Sequence, residues 1–213
     1  MQVAAIKFSK PGKMPCSTFS TPAQACITGS KLRLVPNSVC SDCYALKGNY
    51  RFPNVKAPRE TNLAAVLGDL HTWRASMVDM LLKTEKSGYF RWHDSGDVQS
   101  YEHLLAIIDI AAALPHIRFW LPTKEKQFLN RLRRDIAQGV LHPLPANLTI
   151  RLSMAMIDET PHGAWPLTST VHRAGNYTPE HGRQCGAYQN KGKCGDCRTC
   201  WDATVDNVTY PKH

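Results

Sequence analysis

From Thr61 onward, apolar residues recur at Leu63, Val66, Leu67, Leu70, Trp73, Met77 and Leu81, the spacing of a helix with one buried face. Thr61 suits the N-cap, and Gly88 closes the helical stretch. Tyr89-Phe90-Arg91-Trp92-His93 then reads as a strand. Ser100 caps a second helix carrying Leu104, Leu105, Ile108, Ala111 and Leu114, with Pro115 just past its end. Ile117 to Leu121 predicts a second strand, about Glu125 to Gln138 a third helix, and Leu148 to Ser153 a third strand. Strands separated by helices of this length imply right-handed crossovers and a parallel sheet. The expectation is an α/β fold, a partial or complete parallel (β/α) barrel, ahead of a doubly wound open sheet.

The two ends break this alternation. Residues 11–60 are rich in Pro, Ser and Cys and read as a ligand-bearing loop; residues 160–213 hold many Gly, His, Pro and Cys and little periodicity. Residues 1–160 are therefore expected as the barrel-like domain, with its cysteine loop at 16–43, and 161–213 as a metal-binding extension. All eight cysteines lie in these ends: Cys16, Cys26, Cys40 and Cys43 in the first, Cys185, Cys194, Cys197 and Cys200 in the second. Two-residue gaps such as those in CSDC and CGDC aim several sulfurs at one point, which is the pattern of metal ligands. A disulfide framework is the competing explanation. The opening MQVAAIKFSKPGKM carries no apolar leader, and no stretch reaches the about 18 apolar residues of a membrane span. A reducing cytoplasm is the expected compartment, where such cysteines bind metal. Spacing alone does not separate zinc from iron–sulfur, and His162, His172 and His181 lie near enough in sequence to replace a cysteine.

Charge points to partners. A net charge of +9 favours a polyanion or an anionic small substrate, and 43% hydrophobic residues exclude a disordered chain.

Function in parallel α/β folds gathers at the carboxyl ends of strands. After the first strand stand His93, Asp94, Ser95, Gly96 and Asp97: two carboxylates, a histidine and a glycine that lets a ligand approach the backbone. Turns use Asp, Ser and Gly for their own reasons, but the combination favours a site. After the second strand Lys124 can meet a carboxylate or phosphate, and after the third come Ser153, Asp158 and Glu159.

A cysteine loop, a helix, a strand ending in Ser95-Gly96-Asp97 and repeated strand–helix units resemble the radical S-adenosylmethionine (SAM) enzymes. CSDCYALKG is similar to the last part of that superfamily's cysteine motif, although thirteen residues separate Cys26 from Cys40 where the family has three. The resemblance implies a [4Fe–4S] cluster on Cys26, Cys40 and Cys43, and SAM held through Asp97, where the family has Glu. It also implies an electron donor, and an auxiliary cluster on Cys185, Cys194, Cys197 and Cys200. The chain further resembles a family of phage and plasmid proteins sharing His-x-Ser-Gly-Asp and a stretch like Phe52-Pro53-Asn54-Val55, over about residues 15–160. That resemblance supplies no established chemistry; it suggests a viral or mobile-element origin and so a host-cytoplasm setting, where modification of phage DNA is one use an iron–sulfur enzyme could have.

Two other readings compete. Asp94-Ser95-Gly96-Asp97-Val98-Gln99 is similar to the Asp-Ser-Gly motif of guanine transglycosylases, zinc-containing barrels, which implies Asp94 on a base and Asp158 as nucleophile. A zinc-stabilised nucleic-acid-binding module would instead use Arg131, Arg133, Arg134, Lys124 and Lys126, with Lys191, Lys193 and Arg198 around its metal. The N-terminal cysteines favour an iron–sulfur enzyme acting on a nucleotide or nucleic-acid base.

Overall fold

The computed structural model describes residues 5–212; residues 1–4, part of the opening expected to carry no apolar leader, and His213 lie outside it. Eight strands form one sheet in the order β1-β2-β3-β4-β5-β6-β8-β7. They are β1 (Phe8–Ser9), β2 (Ser17–Phe19), β3 (Tyr89–Trp92), β4 (Arg118–Thr123), β5 (Leu148–Ile157), β6 (Thr168–His172), β7 (Arg183–Gln184) and β8 (Asn207–Pro211). Only β1 pairs antiparallel, with β2; every other pairing is parallel. The sheet is open, so no closed barrel forms among the described residues. Nor is the order that of a doubly wound sheet, since β2 to β6 stand side by side in chain order.

The helices are α1 (Ile27–Leu32), α2 (Pro53–Gly68), α3 (Leu70–Thr84), α4 (Tyr101–Ala113) and α5 (Lys126–Ala137). Alternate strand residues Phe19, Phe90, Trp92, Phe119, Leu121, Ile150 and Leu152 pack with α2 to α5 in one core. Their neighbours in sequence face the other way. There Cys16 and Trp120 meet Trp201, with Tyr89, Cys200 and Tyr210 packed against them. The C-terminal segment thus covers the face that the helices leave free. Residues 161–212, expected as an extension, supply β6, β7 and β8 to the same sheet.

The helix expected from Thr61 to Leu81 is two helices. Thr61 lies inside α2, where its hydroxyl donates to the Ala57 carbonyl at 3.0 Å. Asp69 interrupts the run in extended backbone and caps α3 by accepting from the His71 amide. Ser100 caps α4 as expected, accepting from the His103 amide at 3.0 Å. His93 falls outside β3 with φ 55°. No helix among the described residues is long and apolar enough to cross a membrane.

Candidate functional site

The carboxyl edge of β2 to β5 is built by two loops that lean on each other. Thr21, just beyond β2, donates its amide to the Ser95 carbonyl at 3.1 Å, and the Ser95 hydroxyl donates back to the Thr21 carbonyl at 3.0 Å. Gly96 turns here with φ 80°, and a β-carbon on it would stand 2.7 Å from the Thr21 carbonyl oxygen. Only glycine fits.

Cys26 and Cys40 approach each other above this edge, with Cys43 three residues beyond Cys40. Cys26 opens α1, and residues 37–39 run antiparallel along the end of β5: Val39 donates to the Ala155 carbonyl at 2.8 Å and Ile157 to that of Asn37 at 3.0 Å. This staple delivers Cys40 to Cys26 despite the long gap between them. Gly29, buried in α1, lies between them; its β-carbon position is 3.6 Å from the Cys26 sulfur and 3.7 Å from that of Cys40. Cys43, three residues on, opens the short turn Tyr44–Leu46; burial raises the Cys26 thiol pKa, and the charges of Asp97, Cys43, Cys40 and Glu125 raise it further. Cys40 is raised by burial too, against the pull of Lys124. Thiolates here call for a compensating cation.

Asp97 lies beneath. Its Oδ1 accepts from the Val98 amide at 2.8 Å and the Thr123 hydroxyl at 2.6 Å, and its Oδ2 from the Lys124 amide at 2.9 Å. Burial pushes its pKa up to about 6 against those hydrogen bonds. Burial lowers that of Lys124, whose ammonium donates to the Met154 carbonyl at 2.7 Å.

Glu125 is a residue that the sequence did not single out for chemistry. It is fully buried and accepts from the Thr28 amide at 2.9 Å and hydroxyl at 2.8 Å, fastening the helix that follows Cys26. A charged residue at a strand-to-helix junction was its only signal.

The remaining residues take other places. Asp94 is a buried hub: its carboxylate accepts from Thr18, Ser20, Tyr50 and Arg59, and its carbonyl from the Tyr44 hydroxyl. It binds the cysteine loop to the sheet and offers little to a base. Asp158 accepts from the Arg173 amide and guanidinium and from Asn176, which occupies the carboxylate proposed as a nucleophile. His93 is buried among Phe19, Trp92 and His103, and burial, with Arg91, lowers its pKa to about 3. Ser153 meets the Ser169 hydroxyl at 3.0 Å.

The second thiol group sits on the face away from the helices. Cys185 adjoins β7, its amide donating to the Thr209 carbonyl at 2.8 Å, while Cys200 meets the Tyr210 hydroxyl at 3.2 Å. Burial lifts the Cys200 thiol to about 12, with Cys185 adding to the rise. Cys194, raised by burial and by the charges of Cys185 and Cys197, donates its amide to the Lys13 carbonyl at 2.9 Å. Cys197 is exposed and meets the Thr199 hydroxyl at 3.2 Å. Cys16, placed by sequence with the first group, packs with this one against Trp120, Trp201 and Cys200. Arg151 holds the segment down: fully buried, it donates to the carbonyls of Cys200, Thr199, Asp202 and Val205. A lone arginine inside an apolar strand was the signal for it. His172 engages Thr209 and Gln184, His181 engages Thr178, and His162 stands 3.3 Å from Glu159. Among the described residues no three Cys, His, Asp or Glu side chains are gathered closely enough to hold a single ion.

The family model described as Gene product 88 matches residues 1–203. No curated protein and no solved structure matches the chain.

Proposed function

Since the chain belongs to the Gene product 88 family, whose description states no chemistry, the reading rests on the site itself: we propose an iron–sulfur enzyme of radical SAM-like architecture acting on a nucleotide or nucleic-acid base. The observation that carries it is the approach of Cys26 and Cys40 across Gly29, with Cys43 three residues beyond, beside Asp97 and Lys124 at the carboxyl edge of the sheet. On this reading the sequential strands β2 to β6, with helices on one face and the C-terminal segment on the other, form a partial barrel.

The donor set fits the group. Three half-buried thiols, with no fourth cysteine grouped with them among the described residues, would suit a cluster that keeps one iron open. A bound [4Fe–4S] cluster supplies the electron that breaks a carbon–sulfur bond of SAM, giving a radical that takes hydrogen from the substrate. The chain's own residues do the holding. Asp97 Oδ2 accepts one hydrogen bond, from the Lys124 amide, and keeps a lone pair for an ammonium group. The Lys124 ammonium stands over the same edge for a carboxylate. Glu125 and the β5 staple fix the two cysteine-bearing segments, and Asp94 closes the loop over them. Reduction needs an external electron donor. The second thiol group, Cys185, Cys194, Cys197 and Cys200 with Cys16 beside it, is assigned to an auxiliary cluster or a structural zinc.

The test is reductive cleavage of SAM by anaerobically purified protein. Cys26→Ala, Cys40→Ala and Cys43→Ala each abolish it on this reading. Cleavage that survives all three substitutions refutes it.

A further inference from the structure

Around the first cysteine group the surface is basic and carries exposed apolar side chains. Residues 23–60 carry six cations, Lys31, Arg33, Lys47, Arg51, Lys56 and Arg59, against two acids, Asp42 and Glu60. Asp42 is taken by Lys47 and Arg59 by Asp94. Lys31, Arg51 and Lys56 form no ion pair among the described residues. Large apolar side chains stand out between them: Leu34 is 85% exposed, Tyr44 56% and Phe52 55%. The Tyr44 ring is held by its hydroxyl's bond to the Asp94 carbonyl and by an edge contact with Tyr50, and an exposed apolar group rimmed by polar residues marks an interaction site. Unpaired cations interleaved with exposed rings are what a flexible polyanion with flat, stackable groups requires.

A cleft lies beside this strip, with a volume of about 190 Å³, lined among others by Gln24, Tyr50, Lys56, Arg59, Glu60 and Ser95. It is smaller than the roughly 300–1,000 Å³ of pockets that engulf a whole ligand, which suits one heterocycle of a longer chain. Tyr50 gives it an aromatic wall, with the Arg59 guanidinium 4.7 Å from the ring centre. Gln24 and Glu60 offer the paired donors and acceptors that a base edge needs. Ser95 belongs to the turn that carries Asp97, so the cleft opens next to the proposed reaction centre.

The basic helix α5, the other candidate, is occupied internally. The Arg131 guanidinium stacks 3.9 Å from the Tyr101 ring centre and approaches Asp135, as does Arg134, while Arg133 donates to the Ala164 carbonyl at 3.1 Å. None of the large exposed apolar residues lies on α5.

We propose that the cysteine loop and the start of α2 form a docking surface for a single-stranded nucleic acid, with phosphates on Lys31, Arg51 and Lys56, bases stacked on Phe52 and Tyr44, and one base turned into the cleft. This deepens the enzyme reading by making the substrate a polymer, and it rests on that reading only for the reaction.

The test is fluorescence anisotropy of the full chain with a labelled oligothymidylate, and with its oligoadenylate duplex, across a salt series. The single strand binds more tightly than the duplex. Phe52→Ala weakens binding about 5- to 140-fold, the loss of one stacked base. The pair Arg51→Gln and Lys56→Gln flattens the salt slope by about 1.4, roughly 0.7 for each lost phosphate contact. Arg133→Gln with Arg134→Gln leaves both values unchanged. The proposal is overturned by no single-strand binding at low salt, by equal binding of the duplex, or by a loss confined to the α5 variants. Melting temperatures within the spread of the unsubstituted protein show that each variant folds. Iron content measured on the same preparations separates the two readings. Strand binding at this surface by protein that never holds iron removes the enzyme and leaves the surface, whereas iron-loaded protein indifferent to the strand removes the surface alone.

Discussion

Replacing Glu125 with alanine removes the group that fastens α1, and with it Cys26, to the sheet. The carboxylate is fully buried and receives two hydrogen bonds from Thr28, at 2.9 and 2.8 Å. Hydrogen bonds to a charged acceptor contribute about 1.5–3 kcal/mol each. Two effects reduce that sum. Thr28 is only partly buried, so its freed donors recover water, and alanine relieves the cost of holding a charge away from solvent. A net loss of about 2–3 kcal/mol remains, which lowers the melting temperature by roughly 4–12 °C for a chain of this size. Glu125→Gln keeps one acceptor and loses about half as much. Urea unfolding measures the loss, and iron retained after desalting reports whether Cys26 has drifted from Cys40. An Ala variant within about 0.5 kcal/mol of the parent, with iron retention intact, refutes the positioning role.

Gly29→Ala separates stability from ligation. Alanine raises helix propensity by up to about 1 kcal/mol, yet its β-carbon would sit 2.9 Å from that of Cys26 and against both sulfurs; stability holds while iron per chain falls, as colorimetric iron assay reads. Arg151→Met leaves the carbonyls of Thr199, Cys200, Asp202 and Val205 without their donor and costs at least about 3 kcal/mol. It also quickens zinc or iron loss from the second thiol group, and an unchanged urea midpoint counts against it. His93, held neutral by burial with its pKa lowered to about 3, binds a proton more readily when unfolded. Its contribution is present above pH about 6.5 and is lost as pH falls towards 3, by up to about 5 kcal/mol. Asp97, raised to about 6, acts oppositely between pH about 4 and 6, by about 3 kcal/mol, so the net fall steepens below pH about 4. Together they leave a net loss of about 2 kcal/mol between pH 7 and 3, and a urea midpoint flat over that range contradicts the two assignments taken together.

Much of the helix-covered half of the fold was legible. β3, β4 and β5 carry apolar residues on the face that meets α3, α4 and α5, so their periodicity shows, and Ser100 marks α4 by its hydroxyl. The break at Asp69 was hidden because both α2 and α3 keep a buried stripe. β6 escaped for a different reason. Its buried residues are polar and satisfied across strands: Thr168 and Thr170 bond Asn207, and His172 bonds Thr209. A strand stabilised in that way leaves no hydrophobic alternation. At the site, the fold brings Cys26 and Cys40 together across Gly29 despite the thirteen residues between them, and Cys43 follows three residues later. Cys16 was grouped by proximity in the chain, but β2 carries it to the opposite face, beside Trp201. Asp94 and Asp158 were chosen for their chemistry, and their partners sit 35 to 76 and 15 to 18 residues away in sequence, beyond any local pattern.

The central claim is that the first three thiols hold an iron–sulfur cluster. The direct measurement is an absorption spectrum of anaerobically purified protein with iron, sulfide and zinc determined on the same sample. The account predicts broad absorbance near 400 nm with about four irons and four sulfides per cluster, lost in Cys26→Ala, Cys40→Ala and Cys43→Ala. A colourless protein carrying only zinc would contradict it.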